Sequence, residues 1–304
     1  MQKNNIDTHF ADKLKDRKIN PSTSAWERLS VQLDKEQQKK KRKRFLYLSY
    51  AASVAVLISI GFFYESNSTN LIYVDTVQIR ISKSLPSTNS VKTNYYGLEF
   101  SRERLDYKFN PRKGISLSFK GAMGIKKIVT HKDIAKVRYT ENGQEKGVYD
   151  GLKLRFNQYN LAGKVDYYLP IGRSSTMLFS FLGESLVADN IYVNEQHRLG
   201  GFGNLRGFDE ESLFATSYGL LNLEYRYLLS RNSFIQLFWN GAYLKNNAIE
   251  NVVVKEDTPF GFGAGINFET SSGIFNIAYA LGRQQNNPIE FRTAKIHFGL
   301  TGYF

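Results

Sequence analysis

Leu220-Leu221-Asn222-Leu223-Glu224-Tyr225-Arg226-Tyr227-Leu228-Leu229 alternates apolar and polar side chains at a period of two through its middle. In an extended chain Leu221, Leu223, Tyr225 and Tyr227 share one face, and Asn222, Glu224 and Arg226 share the other. One face suited to lipid and one suited to water is the pattern of a strand that crosses a membrane within a sheet. The alternation returns at Ile115, Leu117 and Phe119; at Leu152, Leu154 and Phe156; at Met177, Phe179 and Phe181; and at Ile235, Leu237 and Trp239. It continues at Phe260, Phe262, Ala264, Ile266 and Phe268; at Phe275, Ile277, Tyr279 and Leu281; and at Ile296, Phe298 and Leu300. With the segment from Tyr96 to Phe109, nine strands are predicted over residues 95–304.

The predicted connections alternate in length. Short turns fall at Asn110-Pro111-Arg112-Lys113-Gly114, Pro170 to Arg173, Leu229 to Asn232 and Thr270 to Gly273. Long polar loops fall near 126–151, 188–215, 246–257 and 283–292. Outer-membrane barrels have short periplasmic turns and long external loops, whereas a soluble sandwich has no reason to alternate so regularly. The chain ends on Phe304, as such barrels commonly do, although Gly302 stands where a second aromatic is usual.

Composition agrees with this reading. The 304 residues include 22 Phe and 19 Tyr, yet mean hydropathy is only -0.38, which suits strands apolar on one face. Cysteine is absent, so disulfides and thiolate metal sites are excluded. His9, His131, His197 and His297 show no metal-ligand spacing, and no metal or cofactor is expected. The net charge of +13 does not indicate nucleic acid, because six consecutive basic residues, Lys39 to Arg44, abut an apolar stretch and read as a topology signal. Gly201-x-Gly203 near Gly207 lacks the parallel βαβ setting of a dinucleotide loop, and no Ser, His and Asp stand at a catalytic spacing. An enzyme is not expected.

Phe45 to Phe63 carries no charge, and its nineteen residues at ~1.5 Å each are just enough to cross a bilayer core as one helix. The basic run then keeps residues 1–44 in the cytoplasm. Within them Ile6, Phe10 and Leu14 recur at a spacing of four before Pro21, and Ser24 with Glu27 forms a capping box opening a helix that carries Trp26, Leu29 and Leu33. That stripe suits a cytoplasmic partner or the preceding helix. Four segments result: a cytoplasmic-type helical segment (1–44), a hydrophobic helix (45–63), a linker or junction (64–94) and a β domain (95–304). The fold class is an all-β membrane protein, an antiparallel transmembrane β-barrel or partial barrel of nine or ten strands, preceded by short helices and one transmembrane helix.

Residues 200–208, Gly-Gly-Phe-Gly-Asn-Leu-Arg-Gly-Phe, lie in a long glycine-rich loop. An arginine held by glycines and flanked by aromatics suits a loop that folds back into a barrel and docks on an acidic wall. Gly203 and Leu205-Arg206-Gly207-Phe208 resemble the lumen-inserted loop motif of the BamA-type outer-membrane assembly and secretion barrels, the bacterial surface antigen family. Leu105-Asp106-Tyr107 with Asn110-Pro111-Arg112-Lys113-Gly114 resembles the strand-turn signature of that family. The resemblance covers about residues 95–304. It implies that Arg206 meets Glu224, and that Phe238-Trp239-Asn240 stands for an aromatic-x-Asp motif in which Asn240 replaces the usual aspartate. Residues 1–70, with Pro21-Ser22-Thr23-Ser24-Ala25-Trp26-Glu27-Arg28-Leu29, resemble small anti-sigma-like inner-membrane proteins.

The resemblance further implies a protein of the Gram-negative outer membrane, in contact with its lipid, that inserts or exports other β-structured chains as clients. The terminal strand, residues 294–304, is then the working edge, with Gly299 and Gly302 weakening its pairing. Nine strands fall short of the family's sixteen, and no periplasmic docking domains precede them. A first strand starting at the external surface also conflicts with an inner-membrane helix, because about 31 residues reach only about 105 Å. A fusion junction near residues 70–95 or a truncated product is therefore expected. Residues 71–81, where Val77, Ile79 and Ile81 alternate with Gln78 and Arg80, are the candidate tenth strand. A single-pass regulator with a periplasmic β domain and a passive pore are the competing readings.

Overall fold

The computed structural model describes residues 60–69, 74–248, 255–271, 273–285 and 287–302. The expectations for residues 1–44, for most of the hydrophobic stretch 45–63 and for Phe304 lie outside these. The strands, in chain order, are β1 (Ile60–Thr69), β2 (Val91–Leu105), β3 (Gly114–Ile128), β4 (Arg138–Glu141), β5 (Gln144–Gly147), β6 (Arg155–Ile171), β7 (Ser175–Ala188), β8 (His197–Leu199), β9 (Leu213–Ala215), β10 (Ser217–Leu228), β11 (Phe234–Lys245), β12 (Glu256–Asp257), β13 (Phe260–Thr270), β14 (Gly273–Arg283) and β15 (Lys295–Thr301). One 11-stranded antiparallel sheet runs in the order β1-β2-β3-β6-β7-β10-β11-β13-β14-β15, with the two-residue β12 beside β11. The long strands follow one another in chain order, with β4, β5, β8 and β9 lying in the connections, so each connection hands the chain to the adjacent long strand.

Side-chain parity holds across the sheet. On β11, Ile235, Leu237, Trp239 and Tyr243 are exposed while Phe234, Gln236, Phe238, Asn240, Ala242 and Leu244 are buried. On β10, Leu221, Tyr225 and Tyr227 are exposed and Glu224 is buried. Phe179 and Phe181 on β7, Leu161 and Tyr167 on β6, Met123 and Ile125 on β3, and Phe298 on β15 extend the exposed apolar face. We call this the outer face and the opposite one the inner face. Polar pairs collect on the inner face, as with Lys120 and Glu65 at 3.0 Å and Ser180 and Asp166 at 2.5 Å.

Two expectations are corrected. Residues 71–81 do not supply the tenth long strand: Thr76–Ser82 is a short helix, α1, because the Asp75 carboxylate accepts from the Val77 and Gln78 amides at 3.0 Å each. Only Ile79 of its apolar trio is buried; it packs with Ile134, Val137 and Val148 from the β3–β6 connection, which also holds α2 (Lys132–Ala135). The tenth long strand is β1, so residues 60–63 extend along β2 rather than completing a helix, and the segment 64–94 is not a plain linker. Among the described residues no helix is long and apolar enough to cross a membrane.

The position of β1 also corrects the expected start of the sheet: the first long strand does not begin at the long-loop end. Ile60 stands opposite Phe100 and Thr69 opposite Val91, so β1 starts toward the short-turn end of the sheet and runs to the long-loop end. The first and last long strands therefore both have their outer termini on the short-turn side, as an even count requires.

Candidate functional site

The connection between β7 and β10 folds back over the inner face. Its short strands β8 and β9 pair, with Leu199 opposite Leu213. Leu199, Leu205, Phe208, Leu213 and Ala215 bury themselves against Leu220 of β10 and Ala242 and Leu244 of β11. Burying one such leucine is worth about 1.5–3 kcal/mol relative to leaving it exposed, so this cluster alone holds the loop against the wall.

That packing delivers Arg206 to a polar pocket. Its Nη2 donates to Glu224 Oε1 at 2.7 Å and to Asn222 Oδ1 at 2.7 Å, and its guanidinium lies 3.7 Å from the Phe238 ring centroid. Both partners of the ion pair are nearly dry, with side chains 6% and 7% exposed. Glu224 is shared: Arg226 donates to Oε2 through Nε at 2.9 Å and Nη2 at 2.7 Å, and Asn222 Nδ2 donates to Oε1 at 3.0 Å. Asn240 closes the far side. Orienting its amide by its hydrogen-bond network, Oδ1 accepts from Arg206 Nε at 3.3 Å and from the Arg206 amide at 3.1 Å, while Nδ2 donates to the Gly261 carbonyl at 3.1 Å. Arg206 is thus read by one charged and two neutral acceptors.

Gly207 fixes the loop at its other side. Its φ is +95° and a Cβ there would come within 2.7 Å of the Leu281 and Gly282 backbone, so only glycine fits. Its amide donates to His297 Nε2 at 3.1 Å, and Lys295 Nζ lies 2.7 Å from Asp209 Oδ1. The loop therefore spans from β10 to the last strand. Gly203, in contrast, is exposed with open space around it and plays no such part. Gly200, which the sequence did not single out, is the constrained one: φ is +109° and a Cβ would stand 2.2 Å from the Asp209 carbonyl.

The β2–β3 turn is a second built element. Asp106 Oδ1 accepts from the Arg112 and Lys113 amides at 2.9 and 3.1 Å, and Gly114 has φ +128° where a Cβ would strike the Arg104 carbonyl. The buried Asn110 donates to the Arg231 carbonyl at 3.1 Å, and Arg231 lies over the Tyr107 ring at 4.2 Å. Buried Pro111 completes the turn. Turns far apart in sequence are thereby joined at the short-turn end.

A model of the Omp85 superfamily domain matches residues 5–304. The chain belongs to the Omp85 superfamily. The fold is similar to the crystal structure of BamA from Haemophilus ducreyi lacking POTRA domains 1-3, with a TM-score of 0.50, 12% identity, and coverage of 79% of this chain and 49% of that one. The chain thus spans about half the length of that structure. No curated protein sequence matches it. Omp85 membership places the chain in the outer membrane of a Gram-negative bacterium. The matched span starts at residue 5 and runs through 64–94, where a junction with an unrelated segment was expected; the comparisons give no support to the anti-sigma-like resemblance of the N-terminal residues.

In this Omp85 chain several contacts lay beyond sequence reasoning. Asn222 and Arg226 share the inward parity of Glu224 and were legible as neighbours, but not as partners of the same carboxylate. Lys126, fully buried, forms an ion pair with Glu195 and donates to the Asn190 carbonyl at 2.6 Å. His197 Nδ1 lies 3.0 Å from Glu184 Oε2, and Lys120 Nζ sits 4.2 Å over the Phe63 ring. Each links strands or loops distant in sequence, for which no local signal exists.

Proposed function

We propose that this chain promotes insertion or translocation of β-structured client chains at the outer membrane, using its terminal strands as the template. The observation that carries this is the pairing pattern: among the described residues β1 pairs only with β2 and β15 only with β14. Each leaves a row of backbone donors and acceptors on one side, which in lipid is costly unless another strand satisfies it. The β14–β15 ladder runs only from Ile274↔Thr301 to Ala280↔Lys295, and Gly299 in it contributes no side chain. A client strand gains hydrogen bonds by docking there, and its own folding supplies the free energy. The inserted loop, filling the inner face beneath β10, β11 and the last strands, speaks against the passive-pore reading.

The test uses the full chain in phosphatidylcholine vesicles with an urea-unfolded eight-stranded barrel as client. Photo-crosslinking groups at Phe62 of β1 and Ile296 of β15 should capture the client during insertion, and one at Tyr225 in mid-sheet should not. Equal capture at Tyr225, or no acceleration of client folding over empty vesicles, refutes the reading.

A further inference from the structure

On the outer face, at the long-loop end, three cations stand in one row. Lys127 of β3 is directly opposite Lys92 of β2 on one side and Arg155 of β6 on the other. All three are exposed, and their chain neighbours Val91, Ile128 and Phe156 are buried in one cluster with Tyr192, so the backbone that presents them is firmly seated. Like charges directly opposite on adjacent strands destabilise a sheet. Among the described residues no carboxylate lies within ion-pair distance of any of the three; the nearby Lys153 is the one that reaches Asp189, at 3.9 Å. Beyond Lys92 in the row stands Ser68 of β1, which is neutral.

The column beneath them reads as a passage from hydrocarbon to headgroup. Leu98 and Leu161 flank Gly121; the next outward row is Tyr96, Met123 and Tyr159; the next is Asn94, Ile125 and Asn157; and the row after that is the cationic one. Successive outward rows are about 6.8 Å apart along a strand, which sets the cations roughly 14 Å beyond the tyrosines. Tyrosines mark the membrane interface, so the cations sit at the level of lipid headgroups in the external leaflet. With strands about 4.8 Å apart, the three span roughly 10 Å, more than a single phosphate covers.

We propose that Lys92, Lys127 and Arg155 form a binding site for the phosphates of an anionic glycolipid headgroup in the outer leaflet. The repulsion between neighbouring cations is then offset by the bound phosphates, and the amides of Asn94 and Asn157 lie one row below, within the same polar band. This site lies one strand in from the β1 edge, and its lipid binding does not depend on the assembly reading.

The test places the full chain in phosphatidylcholine nanodiscs with or without bisphosphorylated lipid A, following lipid retention by native mass spectrometry and Tm. Lipid A should bind and raise Tm. Lys92→Gln/Lys127→Gln/Arg155→Gln should weaken lipid A retention by about tenfold or more while keeping or raising Tm in phosphatidylcholine alone, because the repulsion is gone. Lys127→Gln by itself should weaken retention by a smaller factor, and Arg102→Gln/Arg104→Gln at the opposite end should leave it unchanged. Undiminished retention in the triple variant, phosphatidylglycerol retained as tightly as lipid A, or full protection by inorganic phosphate alone would each overturn the proposal.

Discussion

The costs of removing Arg206 and removing Glu224 should not add, and the shortfall follows from Arg226, which shares the Glu224 carboxylate. In Arg206→Ala the carboxylate of Glu224 keeps two hydrogen bonds from Arg226, at 2.9 and 2.7 Å, and one from Asn222 at 3.0 Å. The loss is then one charge-assisted contact, the neutral hydrogen bonds from the guanidinium to Asn222 and Asn240, and the stacking over Phe238, about 3–6 kcal/mol together. In Glu224→Gln two guanidinium groups converge on a neutral amide in a nearly dry site, a loss of about 3–5 kcal/mol. In the double variant only Arg226 remains there, so the total should fall short of the summed single effects by about 2 kcal/mol or more. Urea unfolding in detergent micelles, followed by tryptophan fluorescence, measures each cost, and trypsin cleavage after the exposed Arg198 reports release of the loop. Additivity within about 0.5 kcal/mol would refute the shared-carboxylate arrangement.

Gly207→Ala should loosen the loop by about 1–3 kcal/mol, because φ +95° and a 2.7 Å approach to Leu281 and Gly282 both oppose a Cβ; faster trypsin cleavage after Arg198 with an intact sheet by circular dichroism is the expected result, and unchanged cleavage contradicts it. Leu237→Lys, at a position 60% exposed on the outer face, should reduce folding into phosphatidylcholine vesicles by about 2–4 kcal/mol, whereas in micelles the effect shrinks; an equal effect in both media would place Leu237 away from lipid. Asn240→Asp should tighten the loop, since two carboxylates would then face Arg206 and Arg226, and the urea midpoint should rise; a fall would mean that losing the donor to the Gly261 carbonyl outweighs the added charge.

Period-two alternation is a local property, so the lipid face of most strands, the alternation of short turns and long loops, and the inward parity of Glu224, Phe238 and Asn240 were legible in the sequence. The run Leu152, Leu154 and Phe156 misled, because Leu152 and Leu154 precede β6 and Phe156 is buried on the inner face, the outer one carrying Tyr159 and Leu161. The motif Leu205-Arg206-Gly207-Phe208 was legible because glycine beside arginine is chemically distinctive. Continuous apolar runs carry no period, and for that reason Ile60 to Phe63 read as the end of a helix when they open β1, while the brief alternation at Val77, Ile79 and Ile81 yielded to the Asp75 cap and formed a helix. Partnerships that depend on register between strands far apart in the chain arise only once the sheet has formed. The sharing of Glu224 by Arg206 and Arg226, the grip of His297 on Gly207 across 90 residues, and the row of Lys92, Lys127 and Arg155 all arise there, because a sheet sets side chains beside one another by pairing and not by proximity in sequence.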